Sequence, residues 1–102
     1  MHSVPAEFTQ LPSYGPLYEL VGPMYGCLRD GKPVVGMRME HRHRNRGNMM
    51  HGGMVATLVD TALVWAARQV KPEQNILLTT NLGIDFIGKI CEGDWVEVRV
   101  DF

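Results

Sequence analysis

The chain has 102 residues, 45% of them hydrophobic and 21% charged, with a formal net charge of −1 at pH 7. That length suits one domain, and that apolar content can form a core, which excludes a disordered tail. The near-neutral balance excludes the broad basic field of a typical nucleic-acid binder, and no apolar run reaches the length of a membrane span.

The first stretch, "MHSVPAEFTQLPSYG", carries no apolar signal-peptide core. Cys27 and Cys91 form no CxxC pair and read as reduced structural thiols, so a cytoplasmic protein is expected. Residues 1–23 hold Pro5, Pro12, Pro16 and Pro23 and read as an irregular or partly helical lead-in to a domain over 24–102. In "YGCLRDGKPVVGMRMEHRHR", Asp30-Gly31 sits between two strand-like arms, the signature of a type I′ hairpin. Its second arm alternates, with Val35, Met37 and Met39 on one face and Arg38, Glu40 and Arg42 on the other.

A helix is predicted from about Gly52 to Val70, with Pro72 just beyond. At 100° per residue, Thr57, Asp60, Thr61, Val64 and Arg68 make one narrow stripe, and the remaining surface is Met, Val, Leu, Ala and Trp. A helix this apolar is wrapped by other structure. Two strands follow. "ILLTTNLGIDFI" puts Leu78, Leu82, Ile84 and Phe86 on one face, with Thr79, Asn81 and Asp85 on the other. "DWVEVRVDF" places Val96, Val98, Val100 and Phe102 inward, with Glu97, Arg99 and Asp101 outward. Hairpin, one long helix and further strands describe an α+β domain whose antiparallel sheet curls around a central helix.

The chemistry-bearing stretch is "NRGNMMHGGMVATLVD". A helix start exposes unpaired N–H groups and partial positive charge, and glycine lets a ligand approach the backbone. The Gly52 N–H can therefore serve as an oxyanion donor, with the Asn45 amide upstream as a second donor or water holder. Asp60 can act as general base or nucleophile toward a carbonyl carbon. Alone, a mid-helix acid reads as a solvated stripe with Thr57, Thr61 and Arg68, and His-Gly-Gly as a loop ending at a helix. "HRHRNR" has three readings: a metal-ligand pair from His41 and His43 on one strand face, a basic nucleic-acid strand, and a solvated arginine edge. With His51 as the only further ligand and no acid nearby, no metal is expected.

Together, "HRNRGNMMHGGMVATLVDTALVWAA" and "TTNLGIDFIGKICEGDWVEV" resemble the hotdog-fold acyl-CoA thioesterases. Within the 4-hydroxybenzoyl-CoA thioesterase superfamily, the phenylacetate-pathway type is the most similar. The family's Asn, His-Gly-Gly and Asp match Asn45, His51, Gly52, Gly53 and Asp60 in identity and spacing, and its Ser or Thr after the helix matches Thr79. Gly88-Lys89 replaces the family's small residue-proline pair.

The resemblance implies hydrolysis of an acyl-CoA to free acid and coenzyme A in a homodimer or homotetramer, with the site at a subunit interface. Gly52 would polarise the thioester carbonyl with help from Asn45, and Asp60 of the partner subunit would activate water or attack directly. Thr79 would position water or Asp60, while His51 orients the helix start. Gly53 would lie along the acyl group, and Arg38, Arg42, Arg44 and Arg46 near the coenzyme phosphates; Met50 and Met54 read either as lining an acyl pocket or, as methionines more often do, as core filler. No cofactor is implied. Two more strands follow in the family, so 24–102 reads as a domain incomplete at its C-terminus. Its last strand, 94–102, is expected to present an open edge for another chain. The alternatives are a non-catalytic hotdog module that binds acyl-CoA or assembles with partner subunits, and a hydratase, whose differently placed His and acid pair is not found.

Overall fold

The computed structural model describes residues 3–70, 81–85 and 90–101. Asp30 and Gly31 take φ of 53° and 78°, the paired positive values that a type I′ turn requires. They join β2 (Tyr25–Arg29) to β3 (Lys32–Arg38), with Arg29 opposite Lys32. A two-residue strand β1 (Thr9–Gln10) pairs with β2 on its other side. Across the molecule, β3 pairs with β5 (Trp95–Asp101), and β5 pairs with β4 (Asn81–Asp85), all antiparallel. The sheet order is β1-β2-β3-β5-β4.

The expected helix forms as α2, Gly52–Val70, and lies against β3 and β5. Its buried side is Met54, Leu58, Thr61, Ala62 and Ala66, the i, i+4, i+7, i+8 spacing of one helical face. Trp65 packs on the core, and a Cβ at Gly26 would stand 2.7 Å from its indole. Across the sheet, Val35, Met37, Val96, Val98 and Val100 supply the other half of this core. The polar stripe is divided. Thr57 and Thr61 turn their hydroxyls back to donate to the Gly53 and Thr57 carbonyls (2.8 and 2.9 Å), while Asp60 and Arg68 are exposed.

The opposite face of the sheet is also apolar. Phe8, Cys27 and Val34 are buried there, with Val4, Tyr25 and Trp95 packed around them. The lead-in therefore covers one sheet face with Val4 and Phe8. It supplies the other core with Leu11 and Tyr18, the latter from a short helix α1 (Pro16–Val21). The Tyr18 hydroxyl accepts from Met24 N–H at 3.0 Å and donates toward the Met24 carbonyl, 3.2 Å away.

Two expectations need correction. The strand of the second hairpin arm ends at Arg38, so Glu40 and Arg42 are not strand positions, and His41 and His43 share no strand face. Residues His41–His43 form a 3₁₀ turn instead. The cause is local, since the His43 N–H donates to the Glu40 carbonyl (2.9 Å) and the His43 ring accepts from the Glu40 N–H (2.9 Å). The second correction concerns the 94–102 strand, which is not an open edge, because β5 is bonded on both sides. Pro72, Leu78, Thr79, Phe86, Gly88-Lys89 and Phe102 lie outside the described residues.

Candidate functional site

The start of α2 is built by a closed loop, residues 44–51. Arg44 bridges Met50, and the Met50 N–H donates to the Ile90 carbonyl at 3.0 Å. Inside the loop, the Asn45 side-chain oxygen accepts from the N–H groups of Gly47 (2.7 Å) and Met49 (3.2 Å). Asn45 is thus the loop's organiser, and its side-chain NH₂ has no partner among the described residues. Asn48, at φ 62°, turns the chain back and accepts from Arg44 at 2.8 Å.

His51 caps the helix with its ring. Its Nδ1 accepts from the Gly53 N–H at 2.8 Å, and its carbonyl accepts from Met54 and Val55. An imidazole here does what Ser or Asp does at an ordinary N-cap. The two glycines then have different reasons. A Cβ at Gly53 would lie 3.0 Å from His51 Nδ1, so glycine admits the capping ring. A Cβ at Gly52 would meet nothing within 4 Å, so the Gly52 backbone faces open space. The Gly52 N–H has no acceptor among the described residues. No acid lies in the helix's first turn to offset its partial positive charge.

Asp60 is exposed and has no ion pair or hydrogen bond among the described residues. It stands eight residues past Gly52, roughly 12 Å along the axis at 1.5 Å per residue. A carbonyl held by a donor on one side and attacked from the other spans only about 6–7 Å. Within one chain the two groups cannot act on the same carbonyl.

Met50 and Met54 are buried on either side of Gly52, in a core that also holds Met24, Met37 and Met39. Arg44 and Arg46 are exposed, but Arg42 is committed elsewhere. Its guanidinium donates to the Leu20 and Gly22 carbonyls at the end of α1 and to Glu40. Arg38 donates to the Gly93 and Ser3 carbonyls and lies over the Trp95 ring. His43 is only 3% exposed, with both ring nitrogens bonded to backbone, so it is no metal ligand; His41 pairs with Glu92. The alternating "HRHR" was the only signal for these backbone ties, and its pattern suggested a strand. A cleft of about 430 Å³, lined by Val4, Tyr25, Arg38, His41 and Glu92 among others, lies away from this loop; Asn45, His51, Gly52 and Asp60 are not in its lining.

Its hydrogen bond to Arg29 holds Glu97 below the usual carboxylate range, and the same pairing, with Glu7, raises Arg29. Burial, with Glu7 behind it, pushes the Cys27 thiol up, which keeps it an inert thiol.

The profile of the thioesterase superfamily matches residues 47–101, from the closed loop through β5. A Pseudomonas aeruginosa protein named "Putative esterase PA0474" is 37% identical over 105 residues, covering 99% of this chain and 78% of that one. The crystal structure of zebrafish thioesterase superfamily member 2 superposes with a TM-score of 0.55 at 26% identity. That match covers 76% of this chain and 56% of the zebrafish chain, so this chain spans little more than half of that structure's length. No helix among the described residues is long and apolar enough to cross a membrane. From the antiparallel sheet on one long helix, the loop-to-β5 profile match and a relative aligned with 99% of this chain, this chain belongs to the thioesterase superfamily and has its α+β hotdog fold.

Proposed function

We propose that this chain is an acyl-CoA thioesterase working as a homo-oligomer, a dimer or a tetramer, with each site shared between two subunits. The observation that carries the reading is the Gly52 N–H, unpaired among the described residues at an acid-free helix start and fixed there by the His51 cap. The thioester oxygen takes that donor and the free Asn45 NH₂. Asp60 of the partner subunit supplies the other half, since the same chain's carboxylate is too distant along the helix. It acts as base or as nucleophile. As base, it takes a proton from water as the water oxygen bonds to the carbonyl carbon; the C–S bond then breaks and the thiolate receives that proton. As nucleophile, its oxygen bonds to the carbonyl carbon while the C–S bond breaks and coenzyme A leaves as the thiolate; water then cleaves the resulting anhydride, releasing the acid and restoring the carboxylate, and the remaining proton goes to the thiolate.

Met50 and Met54 border the acyl group, and their unbranched thioethers suit a pocket that reshapes around its occupant. Arg44 and Arg46, both exposed, meet the coenzyme's phosphates, and Thr79 positions the attacking water. Residues 24–102 form the thioesterase domain, on which the lead-in 1–23 is sealed. Both cysteines are free, as a reducing cytoplasm would leave them.

A panel of short, medium and aryl acyl-CoAs, run on oligomer-sized material with coenzyme A release as readout, tests the reading. Turnover of at least one class is expected. Saturable binding across the panel without any release would replace it with a non-catalytic acyl-CoA module.

A further inference from the structure

We propose that His43 is a positioning residue for the Gly52 donor, carrying the docking of α1 to the start of α2 through its ring and its carbonyl; this rests on the thioesterase reading above.

The bonds form one continuous path. Helix α1 is anchored in the core by Tyr18 and ends on the carbonyls of Leu20, Val21 and Gly22. Two of these are taken by Arg42 and the middle one by His43, whose Nε2 lies 2.6 Å from the Val21 oxygen. The opposite ring nitrogen, Nδ1, lies 2.9 Å from the Glu40 nitrogen. A backbone N–H only donates and a carbonyl only accepts, so the partners define a neutral ring with its proton on Nε2. Wedged between two fixed backbone groups and 3% exposed, the His43 residue has almost no freedom. Its own carbonyl then accepts the His51 N–H at 2.8 Å. His51 passes the constraint on, because its ring holds the Gly53 N–H at 2.8 Å and thereby sets how the first turn of α2 presents the Gly52 N–H.

A donor aimed at a developing oxyanion is useful only when its geometry is held, and a misplacement of about 1 Å can cost on the order of a hundredfold in rate. The arrangement also separates positioning from docking. Arg42 keeps α1 in place through Leu20 and Gly22, so losing the Val21 bond need not release the helix.

Two substitutions divide the ring's functions. His43→Asn keeps an acceptor where Nδ1 sits and loses the reach to Val21. His43→Gln keeps a donor at the Nε2 end and loses the acceptor facing Glu40. We expect His43→Asn to lower kcat on the order of tenfold or more with KM within about twofold, and to shift the amide resonances of Gly52 and Gly53. His43→Gln should recover most of both. The proposal is overturned if both variants turn over like wild type, or if both lose rate only in step with a lowered Tm and leave the glycine amides unmoved. Should the wild type hydrolyse no thioester, the thioesterase reading fails by itself. The amides then decide: a shift in His43→Asn that His43→Gln restores upholds the tie, and unmoved amides in both overturn it.

Discussion

The outer face of the sheet and the start of α2 are made from similar groups and treat them in opposite ways. On the outer face the Arg29 and Trp95 donors both find acceptors. Arg29 bonds Glu97 and Glu7, and the Trp95 indole N–H donates to Glu97 at 3.0 Å, beneath the packed rings of Phe8 and Tyr25. Two turns into α2 the Asp60 carboxylate has no partner among the described residues, and at the helix start neither the Gly52 N–H nor the Asn45 NH₂ has one. The loop around them is nonetheless tightly bonded. Satisfied polar groups stabilise the fold, whereas polar groups held rigidly and left unsatisfied are what a ligand or a second subunit can use.

The largest expected effect tests the open side of that contrast. Asp60→Asn keeps the shape of an exposed side chain, so Tm should hardly move. Turnover of the best acyl-CoA should nevertheless fall on the order of 10²–10⁴-fold, chiefly in kcat. Rates within a few-fold of wild type would make Asp60 a solvated surface acid and nothing more.

Next comes Gly52→Pro. Proline fits the first position of a helix, and a Cβ at Gly52 would meet nothing within 4 Å among the described residues. The change removes one N–H and little else, and should cost about 10²–10³-fold in kcat. Mixing the Asp60→Asn and Gly52→Pro chains sharpens the test. With sites shared across a two-fold interface, random re-pairing of the subunits should restore about a quarter of wild-type activity, because each mixed dimer rebuilds one intact site. If the mixture stays as inactive as its parents after subunit exchange, the shared-site arrangement is wrong.

Legibility in the sequence followed the same divide. The hairpin and α2 were readable because their determinants are local: Asp-Gly at a two-residue turn, and an apolar period ending near a proline. The His51, Gly52, Asp60 spacing was readable as a motif, but the His51 ring bond that separates the tasks of the two glycines was not. The 3₁₀ turn at 41–43 defeated the alternation rule, because the His43 ring folds back onto the Glu40 N–H, a local bond that an alternating pattern does not announce; the ties of Arg42 and His43 to α1 were hidden by their distance in sequence. The same distance in sequence hid the interior place, between β3 and β4, of β5, whose period-2 pattern is equally compatible with an edge.

A smaller effect is expected from tightening the closed face. Gly36 of β3 lies directly under the Trp95 indole, and a Cβ there would stand 2.8 Å from its Cε2. Gly36→Ala should displace the ring from Phe8 and Tyr25 and cost about 1–3 kcal/mol, read as a lower denaturation midpoint. An unchanged midpoint would mean that the outer face is looser than its packing indicates.

The smallest effect concerns the charge at the centre of that face. Glu97→Gln keeps an acceptor for the Trp95 N–H but removes the anion that Arg29 holds at 2.8 Å. Both side chains are partly exposed, so solvent screens the pair, and about 1 kcal/mol is expected at neutral pH. The pH dependence identifies the source. Arg29 lowers the Glu97 pKa in the folded chain from its ordinary value of 4.5, so the folded protein binds this proton less readily than the unfolded one. The stabilisation is therefore complete above about pH 4.5 and disappears as the pH falls through the lower, folded value. Glutamine has no such proton to bind. The stability gap between wild type and Glu97→Gln should be constant near neutrality and close with acidification, as followed by denaturant midpoints across the acid range. A gap that stays the same down to pH values where carboxylates are protonated would assign it to the shape of the side chain, not to its charge.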